Sequence, residues 1–128
     1  MTDNTKVTEL ELKILQQIWE KNSAVSVAQI IDLWPDQVKP GYTTILKTLQ
    51  KMEQKNIVGH KPDGRKYKYF AVVEKEKVIQ NRLSSIIDRV FGKSKLSFAE
   101  YFVRSNDFSA DELKQLKSFV EEKEKESN

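Results

Sequence analysis

The segment from Lys39 to Asn56, KPGYTTILKTLQKMEQKN, carries hydrogen-bonding side chains at helical spacing. At 3.6 residues per turn its apolar residues fall on one side: Tyr42, Ile45, Leu46, Leu49 and Met52. The opposite side and its flanks hold threonine, glutamine and lysine: Thr43, Thr44, Lys47, Gln50, Lys51, Gln54 and Lys55. Lysine can donate to guanine or phosphate, threonine can contact phosphate, a base or the thymine methyl, and glutamine can pair with adenine. This side could therefore bind nucleic acid.

A solvated face is the alternative for this segment taken alone, because charged helix faces usually face water. Two observations favour contact instead. Thr43 and Thr44 are β-branched and mediocre helix formers, which a purely solvated side would not favour. The window 37–70 contains eight cations and two anions and is +6, whereas the whole chain is +3 and its remainder −3. A local basic patch in a near-neutral chain is typical of proteins that bind a phosphate backbone.

Composition excludes several classes of site. The 128 residues contain no cysteine, which excludes disulfides, thiolate zinc sites and cysteine nucleophiles. The single histidine, His60, cannot form a multi-histidine metal site, and we expect no metal or cofactor. The start, MTDNTKVTEL, lacks an apolar signal core, and no apolar run approaches the ~18 residues of a membrane span. We therefore expect a cytoplasmic protein without membrane insertion.

Two helices are predicted ahead of this segment. Each begins at a capping box, formed by Thr8 with Glu11 and by Ser26 with Gln29. The first spans about 9–21 and the second about 27–34, where Pro35 ends it. After a turn the third helix runs to about Asn56, whose side chain suits a left-handed cap. Three closely spaced short helices indicate a helix-turn-helix.

A β-hairpin is predicted after the third helix. Its strand-like runs, 57–61 and 66–73, flank the sequence PDGR. Asp63-Gly64 is a strong hairpin signal, and Arg65 would make the tip cationic. We interpret Tyr67 and Tyr69 as packing residues, because aromatic side chains fit a half-buried pleat, and base stacking is the alternative.

Only helical patterns follow from Glu74, in EKEKVIQNRLSSIIDRVFG, KLSFAEYFVRSN and SADELKQLKSFVEEKEKESN, the last passing into a charged tail. We divide the chain into domains 1–73 and 74–128. So small a helical unit buries little surface by itself, and dimerisation would cover its apolar residues. These are Leu83, Ile86, Ile87, Val90, Phe91, Phe98, Tyr101, Phe102, Leu113, Leu116 and Phe119. The alternative is a monomer in which they pack onto the N-terminal domain.

The predicted fold class is mainly α with a small β-hairpin wing: an N-terminal winged helix-turn-helix and a C-terminal three-helix dimerisation region. In a winged helix the helix after the turn enters the DNA major groove. We expect Lys47 and Thr43, which point most directly outward, to read bases. The other predicted DNA contacts are Gln50 in the groove, Thr44, Lys51 and Lys55 on phosphates, and Arg65 and Lys66 of the wing on the neighbouring backbone or minor groove.

The chain resembles the penicillinase and methicillin-resistance repressor family, which also includes copper-responsive repressors. The resemblance is carried by TELELKILQQIWEKNSAVSVAQI, YTTILKTLQKMEQKNIV, DGRKYKYFAVV and EKEKVIQNRLSSIIDRVFGKS, in this order along essentially the whole chain. It implies a homodimeric repressor whose winged helices bind palindromic operators in double-stranded DNA. It also implies that Thr44 and Lys47 match contact positions and that Arg65 matches the wing arginine. Asn56 stands where the family usually has glycine, and asparagine tolerates the same left-handed conformation.

The resemblance implies less about regulation. Its β-lactam-responsive branch is switched by a membrane-bound sensor protease that cleaves an Asn-Phe bond in the dimerisation region. The matching bond here is Tyr101-Phe102, which retains the phenylalanine and lacks the asparagine. Copper-responsive relatives use a cysteine-rich C-terminal motif, which a chain without cysteine cannot form.

Two other functions stay open at this point. One is a winged-helix adaptor that binds protein, or DNA without sequence preference. The other is an enzyme, but His60 stands beside Lys61 on a predicted strand with no nearby nucleophile and acid that form a motif. We therefore expect no enzymatic activity.

Overall fold

The computed structural model describes residues 6–127, which form six helices and one two-stranded antiparallel sheet. The elements are α1 Glu9–Lys21, α2 Val27–Asp32, α3 Tyr42–Gln54, β1 Val58–Asp63, β2 Lys66–Ala71, α4 Lys75–Val90, α5 Lys95–Ser105 and α6 Ala110–Ser127. This order confirms the predicted fold class, a winged helix followed by helices. The chain divides into two compact units, residues 1–81 and 82–128, so their boundary falls inside α4.

Both predicted capping boxes are present. In α1 the backbone N–H of Glu11 donates to the Thr8 hydroxyl over 3.2 Å, and the Thr8 N–H donates to the Glu11 carboxylate over 3.0 Å. Ser26 caps α2 in the same way. The predicted end of α2 at residue 34 is wrong, because the helix ends at Asp32. Pro35 accounts for the exclusion of Trp34 from the helix, since a proline disfavours helical geometry in the residue before it.

The third helix ends at Gln54, two residues earlier than predicted, and Lys55 is its C-cap residue. Asn56 adopts a left-handed conformation with φ 62°, which confirms the predicted left-handed cap at the end of this helix. Its N–H donates to Glu53 O over 3.0 Å, and the Ile57 N–H donates to Met52 O over 2.9 Å. These two bonds form a Schellman motif, which turns the chain directly into β1.

The hairpin confirms two strands but corrects the position of the turn. Asp63 pairs with Lys66, so the two-residue loop is Gly64-Arg65 and not Asp63-Gly64. Gly64 has φ +66°, which a glycine at the first loop position accommodates without strain. The strands also differ from the predicted runs, since β1 extends to Asp63 and β2 ends at Ala71.

The core of the first unit lies between α1, α2, α3 and the hairpin. It is built from aliphatic side chains and two aromatic residues: Ile14, Leu15, Ile18, Val25, Val27, Ile30, Trp34, Ile45, Leu49, Met52, Ile57, Val58 and Tyr69. Val25 and Tyr69 also exchange backbone hydrogen bonds of 2.9 and 2.7 Å, which attach β2 to the segment between α1 and α2. Tyr69 therefore packs into the core as predicted, whereas Tyr67 stays 55% exposed and packs against the His60 ring.

In the second unit no residue of α5 or α6 is buried. The charged C-terminal stretch is helical and not the irregular tail that was predicted, because α6 continues to Ser127. Glutamate and lysine are strong helix formers, and Glu121 stands four residues before Lys125, a spacing that supports a helix. No helix within residues 6–127 combines the length and the apolar character that crossing a membrane requires.

An ion pair joins the start of α1 to the end of α3. Lys55 Nζ lies 2.8 Å from Glu11 Oε1, and the Glu11 side chain is 3% exposed. The same Nζ donates to the Lys6 carbonyl over 3.0 Å. A nearly buried carboxylate needs charged or N–H donors to replace water, and Glu11 obtains them from Lys55 and from the Thr8 N–H.

We expect Lys55→Ala to lower the free energy of unfolding by about 1–3 kcal/mol, because the Glu11 carboxylate would lose its charged donor. Urea unfolding followed by circular dichroism measures this change. Lys51→Ala is the matched control, since this exposed lysine on the same helix should change the value by no more than about 0.5 kcal/mol. Equal effects of the two variants would contradict a stabilising role for the pair.

Candidate nucleic-acid interface

One side of α3 is buried and the other is free. Ile45, Leu49 and Met52 are each 0% exposed, so three successive contacts hold the helix on the core. The opposite side presents Thr43, Thr44, Lys47, Gln50 and Lys51, all of them exposed. The structure thus brings together five of the six polar residues predicted on this helix and its cap as DNA contacts. We call these five residues the α3 surface.

The polar groups of the α3 surface are available to a ligand. In the part of the chain that the structure describes, none of its five side chains takes part in a hydrogen bond or an ion pair. The neighbouring Thr48 differs, because its hydroxyl donates to the Thr44 carbonyl over 2.7 Å. Unpaired ammonium, hydroxyl and amide donors at i, i+3, i+4 and i+7 spacing can face a duplex in one row.

Tyr42 is a residue that the helical pattern assigned wrongly. Its angle placed it on the apolar side, yet its side chain is 58% exposed at the first position of α3. The core therefore covers Ile45 in the first turn but leaves Tyr42 exposed, and its phenol is a further exposed hydrogen-bonding group. Sequence periodicity gives the direction of a side chain, but it does not say how far the neighbouring elements extend.

Lys55 differs from the residues of the α3 surface because its ammonium is already paired. The prediction placed it on a phosphate, whereas the structure commits its ammonium to Glu11 and to the Lys6 carbonyl. A phosphate contact would have to compete with a partner that is almost fully removed from water. Lys55 therefore holds α3 against α1. Because its ammonium already has partners, we do not include Lys55 in the α3 surface.

The wing presents a second cationic surface. Arg65 and Lys66 are exposed at the turn, as predicted. Lys61 pairs directly with Lys68 across the strands, so two more cations stand on the face that carries Lys66. Lys68 Nζ lies 3.4 Å from Asp63 Oδ2, which offsets part of their mutual repulsion. Lys61 and Lys68 were counted in the basic window but were not assigned as DNA contacts. The strand register would have placed both lysines beside Lys66 on one face of the wing.

Glu53 and His60 connect α3 to the wing. His60 Nδ1 lies 2.7 Å from both Glu53 Oε1 and Glu53 Oε2. The His60 ring meets the Tyr67 ring at its edge, with centroids 4.7 Å apart, and lies 5.8 Å from the Tyr69 ring. Burial raises the pKa of Tyr69 above its ordinary value, and the negative charge of Glu53 raises it further.

The connection between α2 and α3 is also attached to its surroundings. Lys13 Nζ of α1 lies 2.7 Å from Asp36 Oδ2, and this hydrogen bond is the main reason that the pKa of Lys13 is raised. Lys39 Nζ donates to the Asp32 carbonyl over 3.3 Å. These contacts tie down the loop that leads into the first turn of α3.

The predicted dimerisation residues share one property, which is that each is at least partly exposed in the single chain. Four of their five aromatic members form a ladder together with Phe108: Phe91 with Phe98 at 5.6 Å, Phe91 with Tyr101 at 5.7 Å, Phe98 with Phe102 at 6.1 Å and Phe102 with Phe108 at 6.0 Å. Phe108 was not predicted. The Tyr101-Phe102 bond lies inside α5. Within residues 6–127, no three metal-ligating side chains come together.

Known proteins of related sequence include three regulators from different bacteria. The methicillin resistance regulatory protein MecI of Staphylococcus aureus (strain N315) is 24% identical over 118 residues, which cover 92% of this chain and 95% of that protein. The penicillinase repressor of Bacillus licheniformis is 21% identical over 117 residues, covering 91% of each. The transcriptional regulator BlaI of Mycobacterium tuberculosis (strain CDC 1551 / Oshkosh) is 24% identical over 79 residues, 62% of this chain and 57% of that protein.

A protein-family comparison covers both units. The model of the penicillinase repressor family matches residues 7–122, a range that includes every residue of the α3 surface, the wing and the aromatic ladder. The chain belongs to the penicillinase repressor family.

Proposed function

We propose that this protein is a transcriptional repressor that binds a specific operator sequence in double-stranded DNA. The observation that carries the proposal is the α3 surface, a row of exposed and unpaired donors on a helix whose other side is anchored in the core by Ile45, Leu49 and Met52. Relatives across nearly the full chain are named a regulatory protein and a repressor, which supports the same function.

The α3 surface fits the major groove of B-DNA, which is about 12 Å wide and admits one helix. Lys47 and Thr43 read base edges, the lysine as a donor to guanine and the threonine through its hydroxyl and methyl. Gln50 faces the groove one turn further along and can pair with adenine. Thr44 and Lys51, nearer the rim, contact phosphates and fix the register of the helix.

The wing adds contacts outside the groove that α3 occupies. Arg65 at the turn and Lys66 beside it reach the neighbouring backbone or minor groove. Both lie within the window of net charge +6, which attracts the protein to DNA before any base is read. The remainder of the chain has a net charge of −3, so this basic window, and not the rest of the chain, is attracted to DNA.

The second unit makes the active species a homodimer. Val90, Tyr101 and Phe119 are 70%, 60% and 59% exposed, and apolar side chains at this density need a partner surface. A second copy supplies an identical surface, and a two-fold dimer places two copies of α3 on the two halves of a palindrome.

Proteolysis at Tyr101-Phe102 would require α5 to open. This bond lies within an eleven-residue helix, and both rings belong to the aromatic ladder. A membrane-bound sensor protease, as in one branch of the family, would act on this chain only through local unfolding of that helix.

We expect the wild-type protein to bind one palindromic segment near its own gene at least ~10³-fold more tightly than scrambled DNA. Lys47→Ala should weaken operator binding by about 10- to 100-fold, because Lys47 is proposed to donate to a base edge. Fluorescence anisotropy on duplexes that tile the promoter, at two salt concentrations, measures both quantities.

Lys21→Ala is the control, since Lys21 is an exposed lysine in the last turn of α1 and outside the α3 surface. Sequence-blind binding by the wild type would favour a non-specific DNA-binding protein. No binding at either salt concentration would favour an adaptor that recognises another protein.

We expect sedimentation to give about twice the chain mass of 14.9 kDa at tens of micromolar. Phe119→Glu should shift the equilibrium to monomer, because it places a charge on the proposed interface. Ser118→Glu adds the same charge at the adjacent exposed position of α6 and should leave the dimer intact. A wild-type mass near 14.9 kDa would refute the dimer.

A further inference from the structure

The Glu53–His60 pair is the outermost link between α3 and the wing. Glu53 stands in the last turn of α3 and His60 is the third residue of β1. Within residues 6–127, no other side-chain hydrogen bond or ion pair joins this helix to the hairpin. The imidazole is held from one side by both carboxylate oxygens at 2.7 Å and from the other by the Tyr67 ring.

Stability alone does not account for this pair. Both side chains are more than one third exposed, at 38% and 37%, and ion pairs with such exposure add little to folding. The base of the hairpin is already anchored by Val58 and Tyr69, which are 2% and 3% exposed. Beyond His60 the hairpin has no buried residue until Tyr69 returns to the core.

His60 lies opposite Tyr69 in the strand register, so the pair joins α3 to the hairpin at the last position that the core still holds. A two-stranded hairpin is marginally stable by itself, and residues 61–68 extend from the core as such a hairpin. Without a link to α3 this outer part could tilt relative to the helix. DNA binding would then have to restrict that motion, which lowers affinity.

We propose that the Glu53–His60 pair sets the position of the wing tip relative to α3, so that both residues are positioning residues for the DNA contact of Arg65. This inference rests on the proposed DNA-binding function. Neither Glu53 nor His60 needs to touch DNA. Their contribution is to hold Arg65 at the distance from the α3 surface that one duplex requires.

The first test measures operator affinity for single and double variants. Glu53→Ala removes a negative charge beside the proposed DNA surface, and simple electrostatics would make binding tighter. The proposal requires the opposite, a loss of about threefold or more, the low end of couplings between contacting groups. Glu20→Ala, which removes the same charge from an exposed position of α1, is the matched control.

The same experiment separates positioning from direct contact. If His60 acts through Arg65, His60→Ala should weaken binding by about threefold or more in the wild type but by much less in an Arg65→Ala background. His60→Asn places an amide donor near the position of Nδ1 and should restore most of the affinity. Multiplicative effects of His60→Ala and Arg65→Ala, or tighter binding by Glu53→Ala, would overturn the proposal.

The second test needs no DNA. The chain has no native cysteine, so Gln50→Cys and Arg65→Cys introduce two unique spin-label sites, one on α3 and one at the wing tip. Pulsed dipolar spectroscopy, on labelled chains diluted with unlabelled protein, measures their distance distribution. His60→Ala should broaden or shift it, and an unchanged distribution would overturn the proposal. If the wild type fails to recognise an operator, the proposed function fails, and this distance measurement still decides whether the pair sets the wing.

Discussion

The rest of the first unit depends on the burial of one side of α3. Ile45, Leu49 and Met52 are completely removed from water by α1, α2 and the hairpin. Because side chains on a helix have fixed angles to one another, burying this row presents the opposite row in a defined orientation. The α3 surface is thus as rigid as the core beneath it. A recognition element gains from this rigidity, since little order has to be imposed when it binds.

The charged residues around α3 fall into two groups, those that pair with another side chain and those that do not. Towards the edges, carboxylates lie within 4 Å of basic groups: Glu11 of Lys55, Glu53 of His60, Asp36 of Lys13 and Asp63 of Lys68. At the centre, Lys47 and Lys51 have no such partner among the residues described. The net charge of the basic window is therefore concentrated on the proposed DNA surface. The edge contacts attach α3 to the elements on either side of it.

The second unit follows a different rule. Its helices carry apolar and aromatic side chains that meet one another in the ladder from Phe91 to Phe108, yet no residue of α5 or α6 becomes buried. The helices of this unit are regular, but α5 and α6 do not enclose a hydrophobic core. Its apolar surface is the physical basis for proposing a second copy as its partner, and the N-terminal unit needs no such cover because Ile14, Leu15 and Ile30 are already enclosed.

The helices, strands and caps follow from short stretches of sequence, because the signals that specify them are local. Capping boxes at Thr8 and Ser26 set the helix starts, asparagine at position 56 set the left-handed end of α3, and the period of apolar residues separated its two sides. Which residues on those elements are covered or already paired depends on how the elements pack together. Tyr42 is exposed, Tyr67 is exposed while Tyr69 is buried, and Lys55 is taken by a glutamate 44 positions away. Exposure and ion pairing depend on which elements come to lie beside a residue, and spacing along one helix or strand does not contain that information.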